Sequence, residues 1–241
     1  MIRRSIPLAI AALSLAASSG ARAIVGPSSD GAAYAGQVLM VLAQAPGSAG
    51  FCSGVVVAPN IVLTAAHCVA APTATRVHFR DSSGAPVLLT VARVARHPEY
   101  RADAVAARAK SVDLALVETS EPLPSSFAAI SLGEAPGTVG AVFKVAGFGM
   151  TRQGEASSSG HLRSALLTLR EPLSKVLLWL EGGGAGACTG DSGGPVFYGG
   201  AIVGIVAYAQ AAVGRGCGGL TQAVRVAPYA DWIVQTIRGW R

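Results

Sequence analysis

Gly190-Asp191-Ser192-Gly193-Gly194-Pro195 is the stretch on which the reading of this chain turns. Glycines around a serine let the backbone bend sharply and expose its hydroxyl. They also leave nearby N–H groups free to stabilise an oxyanion. As a bare pattern the stretch satisfies G-x-S-x-G, the strand-to-helix elbow of a fold whose acid and then histidine follow the serine. All four histidines, His67, His78, His97 and His161, precede Ser192, so chain order rejects that fold.

Working outward from Ser192, the opposite order of His, Asp and Ser is available. His67 sits in Thr64-Ala65-Ala66-His67-Cys68, and Asp113 opens Asp113-Leu114-Ala115-Leu116-Val117. TAAHC, DLALV and GDSGGP, in this order and at comparable spacing, resemble the trypsin-like serine proteases with the chymotrypsin fold. Ile24-Val25-Gly26 resembles the mature start of that family. His97-Pro98-Glu99-Tyr100, Ala146-Gly147-Phe148-Gly149 and the segment from Tyr229 to Ile237 match secondary landmarks, so the resemblance covers residues 24–240.

The resemblance implies an all-β protein: two packed six-stranded antiparallel barrels, a C-terminal helix and a site in the cleft between the barrels. Its N-terminal half, 24–125, carries His67 and Asp113, and its C-terminal half, 126–241, carries Ser192. Ser192 is implied as the nucleophile, a weak one without a base to take its proton. His67 is that base, and Asp113 holds the imidazole tautomer. The N–H groups of Gly190 and Ser192 are implied as the oxyanion hole, and Ile24 and Asp191 as an ion pair formed when the N-terminus is freed. The cysteines are implied to pair as Cys52–Cys68 and Cys188–Cys217.

The same alignment places Gly186 at the floor of the primary pocket, where no acid stands, and Ala209 and Thr221 on walls that are glycine in open-pocket members. Cleavage after small apolar residues is therefore expected, in an elastase-like manner. Ala207 replaces a serine that hydrogen-bonds the catalytic aspartate. The stretch between Gly149 and Cys188 is short, which opens the outer subsites. No pair of glutamates like the calcium loop of pancreatic members lies between Cys68 and His97, so neither calcium nor any other cofactor is expected.

Composition agrees. With 51% hydrophobic and 13% charged residues, the chain is rich enough in apolar side chains for a core and too poor in charge for a disordered protein. The net charge of +6 is concentrated at the start, where Arg3, Arg4 and Arg22 face no acid. Without them 16 basic residues oppose 13 acidic ones, scattered, which argues against nucleic acid as a partner. Met1 to Ala23 reads as a signal peptide: a positive start, an apolar stretch from Ile6 to Ala17 and a small-x-small end at Ala21-Arg22-Ala23. That apolar stretch falls short of the roughly 20 residues a membrane span needs. The expectation is a secreted or periplasmic protein, monomeric, without a membrane anchor once cut, acting on polypeptides. Export favours disulfides, four cysteines allow three connectivities, and no CxxC spacing suggests a metal.

Short apolar or alternating runs predict strands at 36–43, 54–58, 76–79, 87–94, 114–117, 141–146, 162–169, 176–180 and 200–207. Tyr229, Trp232, Ile233, Ile237 and Trp240 recur at helical spacing after Pro228. Residues 101–110 read equally as helix or loop, and Gly154 to Gly160 as a mobile surface loop. His78 reads as a strand residue, His97 as structural and His161 as exposed. Two further functions remain open at this point: a catalytically idle homologue serving as a binding module, and an esterase on the same scaffold.

Overall fold

A computed structural model of the chain describes residues 24–45, 48–107, 109–211 and 216–240; the signal-peptide reading falls on residues 1–23, outside them. β2 (Val38–Ala45), β3 (Ser48–Ala58), β4 (Ile61–Thr64), β7 (Ala115–Thr119), β6 (Pro86–Arg96) and β5 (Thr75–Arg80) close, in that spatial order, into an antiparallel barrel. A second ring runs through β8 (Val142–Gly147), β9 (Arg163–Leu169), β10 (Leu177–Glu181), β13 (Leu220–Arg225), β12 (Ala201–Gln210) and β11 (Pro195–Tyr198). The β9–β8 pairing completes it. The two-residue β1 (Ser29–Asp30) adds to the outside of β9. Two six-stranded antiparallel barrels and one C-terminal helix are the architecture that the family resemblance implied.

Three clusters of apolar side chains explain why the barrels form and stay together. Leu39, Val41, Val62, Val77 and Val117 fill the first. Phe143, Leu167, Leu178, Leu180 and Val196 fill the second, and Ile24 reaches into the same cluster. The third joins the two barrels: Val55, Leu63 and Leu114 from one meet Phe197, Ile202 and Ile205 from the other. α2 (Ala230–Gly239) lays Ile233, Trp232 and Ile237 on that seam. His97, only 7% exposed, stands edge-on to Tyr229 and Trp232 at 4.9 Å from each ring. Its Nδ1 accepts the N–H of Glu99 at 3.1 Å, so the ring is a packing element of the seam.

The predicted runs lie within or overlap nine of the thirteen strands. Residues 101–110 hold a single helical turn, α1 (Ala104–Ala107). The segment from Gly154 to Gly160 lies at the surface, as expected, with Ser158 as its buried residue. It contains a 3-10 turn at Ala156–Ser158, and Ser158 is 2% exposed. The Ser158 hydroxyl accepts from the N–H groups of Thr151 and Arg152 and donates to the Glu155 carbonyl, which ties the loop to its own base.

Candidate active site

His67 rides on a 3-10 turn, Ala66–Cys68, that directly follows β4. The Arg96 guanidinium fixes this turn: its Nε donates to Ala66 O at 3.2 Å and a second nitrogen donates to Val69 O. Asp113 lies just ahead of β7, which pairs with β4, so the pairing sets the carboxylate beside the turn. It accepts the His67 backbone N–H at 2.9 Å through Oδ1 and faces His67 Nδ1 at 2.6 Å through Oδ2. A carboxylate only accepts, so Nδ1 carries the proton and Nε2 is left as the basic nitrogen. Nε2 lies 3.5 Å from Cys68 Sγ.

Ser192 comes from the other barrel, on the turn that enters β11. That turn is held by Asp191 N–H on Cys188 O and Gly194 N–H on Asp191 O, both 2.9 Å. Gly190 has φ +97, and a Cβ there would stand 2.5 Å from the Phe51 ring; at Gly193, φ +78, it would stand 2.1 Å from Thr64 Oγ1. Only glycine meets both the dihedral and the space. The fully buried Ser53 stitches this turn to the first barrel. Its N–H donates to Ser192 O at 2.8 Å, and its hydroxyl donates to Gly190 O at 2.9 Å while accepting Phe148 N–H at 3.0 Å. The N–H groups of Gly190 and Ser192 donate to no protein group among the described residues, nor does Ser192 Oγ. Two unspent donors flank a free hydroxyl, an arrangement that can bind a developing oxyanion.

Asp191 points the other way, fully buried. Its carboxylate accepts Gly149 N–H at 2.8 Å and Cys188 N–H at 2.9 Å. Burial dominates these bonds and pushes its pKa up to about 7. Nearby, Val25 bridges Gly186 through paired 3.1 Å hydrogen bonds and leads back to Ile24, buried and held at φ +58.

A cleft of about 970 Å³ opens over His67, Asp113 and Ser192. Residues 29–233 match the Trypsin family. The chain belongs to that family. It is similar to Trypsin 5G1 of Aedes aegypti (32% identity, covering 78% of this chain and 75% of that protein) and to cationic trypsin-3 of Rattus norvegicus (30%, 78% and 80%). The solved structure of the scabies mite inactivated protease paralogue S-D1 shares the fold, with a TM-score of 0.74 at 20% identity over 90% of this chain and 97% of that one. The protein is thus a trypsin-like serine endopeptidase, acting on polypeptides.

Among the residues expected to shape the protease's primary pocket, Ala209 lines the cleft, whereas Gly186 and Thr221 are not among its lining residues. Gly186 is held by Val25, and the buried Thr221 hydroxyl accepts Ala187 N–H at 2.9 Å. Ala207 also lines the cleft and brings no hydroxyl towards Asp113. The cysteines pair as Cys52–Cys68, across β3 and the His67 turn, and Cys188–Cys217, beside the cleft. Cys52, His67 and Cys68 place their donor atoms within 4.8 Å of one another. Both sulfurs are bonded to each other, which leaves no thiolate for a metal. Sequence reading missed Arg96, Ser53 and the cleft-lining Arg101 and Lys110. Nothing in local pattern marks Arg96, Ser53 or Lys110, whose partners are brought near by the fold, and the Arg101–Asp103 pair, two residues apart, belongs to no motif.

No helix among the described residues is long and apolar enough to cross a membrane.

Proposed function

We propose that this protease is exported and cleaves after small apolar side chains, with Ser192 as nucleophile, His67 as general base and Asp113 as its orienting carboxylate. The observation that carries the reading is the cleft itself. The His67–Asp113 pair comes from one wall and the unpaired Ser192 hydroxyl, flanked by two unpaired N–H groups, from the other. Ser192 Oγ attacks the scissile carbonyl carbon and its proton passes to His67 Nε2. A small ring movement on substrate binding brings Nε2 to the hydroxyl, since such bonds are often loose in the free enzyme. The oxyanion is held by Gly190 and Ser192 N–H. As the intermediate collapses, His67 returns the proton to the departing amine, and water repeats the sequence to release the acid.

The specificity reading rests on charge. Asp113 is the one carboxylate among the residues lining the cleft, and His67 engages it. Gly186 and Thr221, the residues expected to shape the pocket, carry no charge either, so a buried Arg or Lys would have no counter-ion. A substrate-library profile dominated by Arg or Lys overturns this part. Ser192→Ala is expected to abolish amide hydrolysis and fluorophosphonate labelling while the fold persists; retention of a tenth of the activity removes Ser192 as nucleophile.

For the export step, a cut after Ala23 would free the Ile24 ammonium to pair with Asp191. Two observations support it. Asp191 is buried without a cation among the described residues. A β-branched residue at positive φ is strained only while a peptide bond precedes it. Sequencing the N-terminus of the secreted protein tests the cut.

The rival reading, an idle homologue that only binds, draws on the missing hydroxyl at Ala207 and on the fold's occurrence in a protein named as inactivated. Fluorophosphonate labelling of Ser192 excludes it. Comparing amide with ester turnover separates a peptidase from an esterase.

A further inference from the structure

Three strand ends lie side by side next to the His67–Asp113 pair. Thr64 closes β4 just ahead of the His67 turn, Ala115 opens β7 just after Asp113, and Arg96 closes β6. Ala115 pairs with Thr64 on one side and with Arg96 on the other. Beyond Arg96 the chain grips Asp113 from both flanks. His97 N–H donates to Leu114 O at 2.9 Å, and Val112 N–H donates to Glu99 O at 3.2 Å. The Arg96 side chain turns instead to the other member of the pair. Its Nε and a second nitrogen donate to Ala66 O and Val69 O, carbonyls that bracket His67 and Cys68. Both acceptors belong to buried residues. Among the described residues no other group donates to Val69 O, and Ala66 O receives besides Arg96 only a long 3.5 Å bond from Val69 N–H.

Resting on the hydrolytic reading above, we infer that Arg96 is a positioning residue for the reaction. Its guanidinium sets the tilt of the His67 turn against Asp113 and so aims Nε2 at the Ser192 hydroxyl. Two other restraints hold the turn, and both act at the histidine and its neighbour. The Cys52–Cys68 disulfide ties the end of the turn to β3, and Asp113 Oδ1 accepts His67 N–H. Neither reaches the carbonyl side, where Arg96 alone stops the turn from tilting about those two points. The residue type matters. A planar guanidinium offers a fixed fork of donors to two acceptors at once, whereas the ammonium of lysine is a single point on a flexible stem. Because its backbone is paired beside Asp113 while its side chain holds the His67 turn, Arg96 keeps the two in one frame. Arg96 is not among the residues lining the cleft, so its effect falls on the chemical step and spares substrate binding. A misplacement of about 1 Å costs about a hundredfold in rate. Losing one of three restraints shifts the ring by less, and about tenfold is expected.

Kinetics on a peptide anilide test this, with kcat expressed per serine labelled by fluorophosphonate at completion. Arg96→Ala is expected to lower kcat about tenfold with KM nearly unchanged. Methylguanidinium is expected to restore part of that kcat saturably, by refilling the place between the two carbonyls, and to leave the unaltered protease as it was. Arg96→Lys is expected to fall between the two proteins, and it carries the test if Arg96→Ala does not fold. An unchanged kcat in the variants overturns the positioning role. So does a fall in kcat that neither methylguanidinium nor the lysine variant relieves, or one matched by an equal rise in KM. If the unaltered protease cuts no peptide anilide and takes no label, the hydrolytic reading fails and the positioning role fails with it.

Discussion

Burial raises the Asp191 carboxyl to about 7 against the lowering pull of the Cys188 and Gly149 N–H groups. An acid raised in the fold favours its neutral form there. The stability it contributes is fully present below its unfolded value of 3.8 and is lost as pH rises through about 7. A gap of about three pKa units amounts to about 4 kcal/mol. Protein carrying one extra residue before Ile24 is expected to melt at progressively lower temperature from pH 4 to pH 7. Protein beginning at Ile24 supplies an ammonium and is expected to lose far less. Parallel melting curves for the two forms would dissolve the proposed Ile24–Asp191 pair. Ser53 works at the same scale without titrating. Ser53→Ala leaves Gly190 O and Phe148 N–H without their partner, at a cost of about 1–3 kcal/mol. Because Gly190 then loses an anchor, kcat is expected to fall with KM little changed. Ser53 was illegible in the sequence because its partners lie 95 and 137 residues away.

Among the elements, α2 was the easiest to read: an apolar stripe at helical spacing needs only local pattern, and Ile233 is 1% exposed where the stripe meets the seam. Ile233→Ala is expected to cost about 2–5 kcal/mol by urea unfolding. Three of the strands that sequence pattern leaves unmarked have physical reasons for it. β4 is buried at all four residues and so lacks alternation. β11 follows the glycine-rich turn so closely that its four residues look like the end of a motif. β13 carries the buried Thr221 and the half-buried Gln222 and Arg225 among its apolar residues, which breaks its apolar pattern. The loop at residues 154–160 is at the surface as its composition indicates, and Ser158 is its exception. Serines read as solvent-seeking, yet one of them is the buried hub of its own turn. His97 links this scale to pH. Burial, helped by Lys110 and opposed by Glu99, lowers its pKa, so the fold prefers the neutral ring. The stability this gives is present above the ordinary value of 6.5 and lost as pH falls through the lowered one. Near-ultraviolet circular dichroism of Trp232 is expected to weaken on acidification, and His97→Gln to flatten that response.

At the scale of the whole molecule, the architecture was legible through the family that the three chemical motifs resemble, while the outer face of the second barrel was hidden because it depends on register between strands far apart in the chain. Cys52 and Cys68 close a 16-residue separation beside His67, worth about 3 kcal/mol in the chain-entropy account. The double variant Cys52→Ala/Cys68→Ala is expected to unfold at lower denaturant with the slope of the transition raised, because its unfolded chain is less confined. The seam between the barrels has a further consequence. His67 and Asp113 stand on one body and Ser192 on the other, joined by the Ser53 bonds and by the apolar contact of Leu63, Leu114, Phe197 and Ile205. Each barrel has its own closed ladder of hydrogen bonds, so the seam can slip while both ladders survive. Turnover is then a gauge of alignment between two bodies rather than of folding. It should fade at lower denaturant than the far-ultraviolet signal of either barrel, as a lock fails when its plate shifts against the frame though neither part has bent.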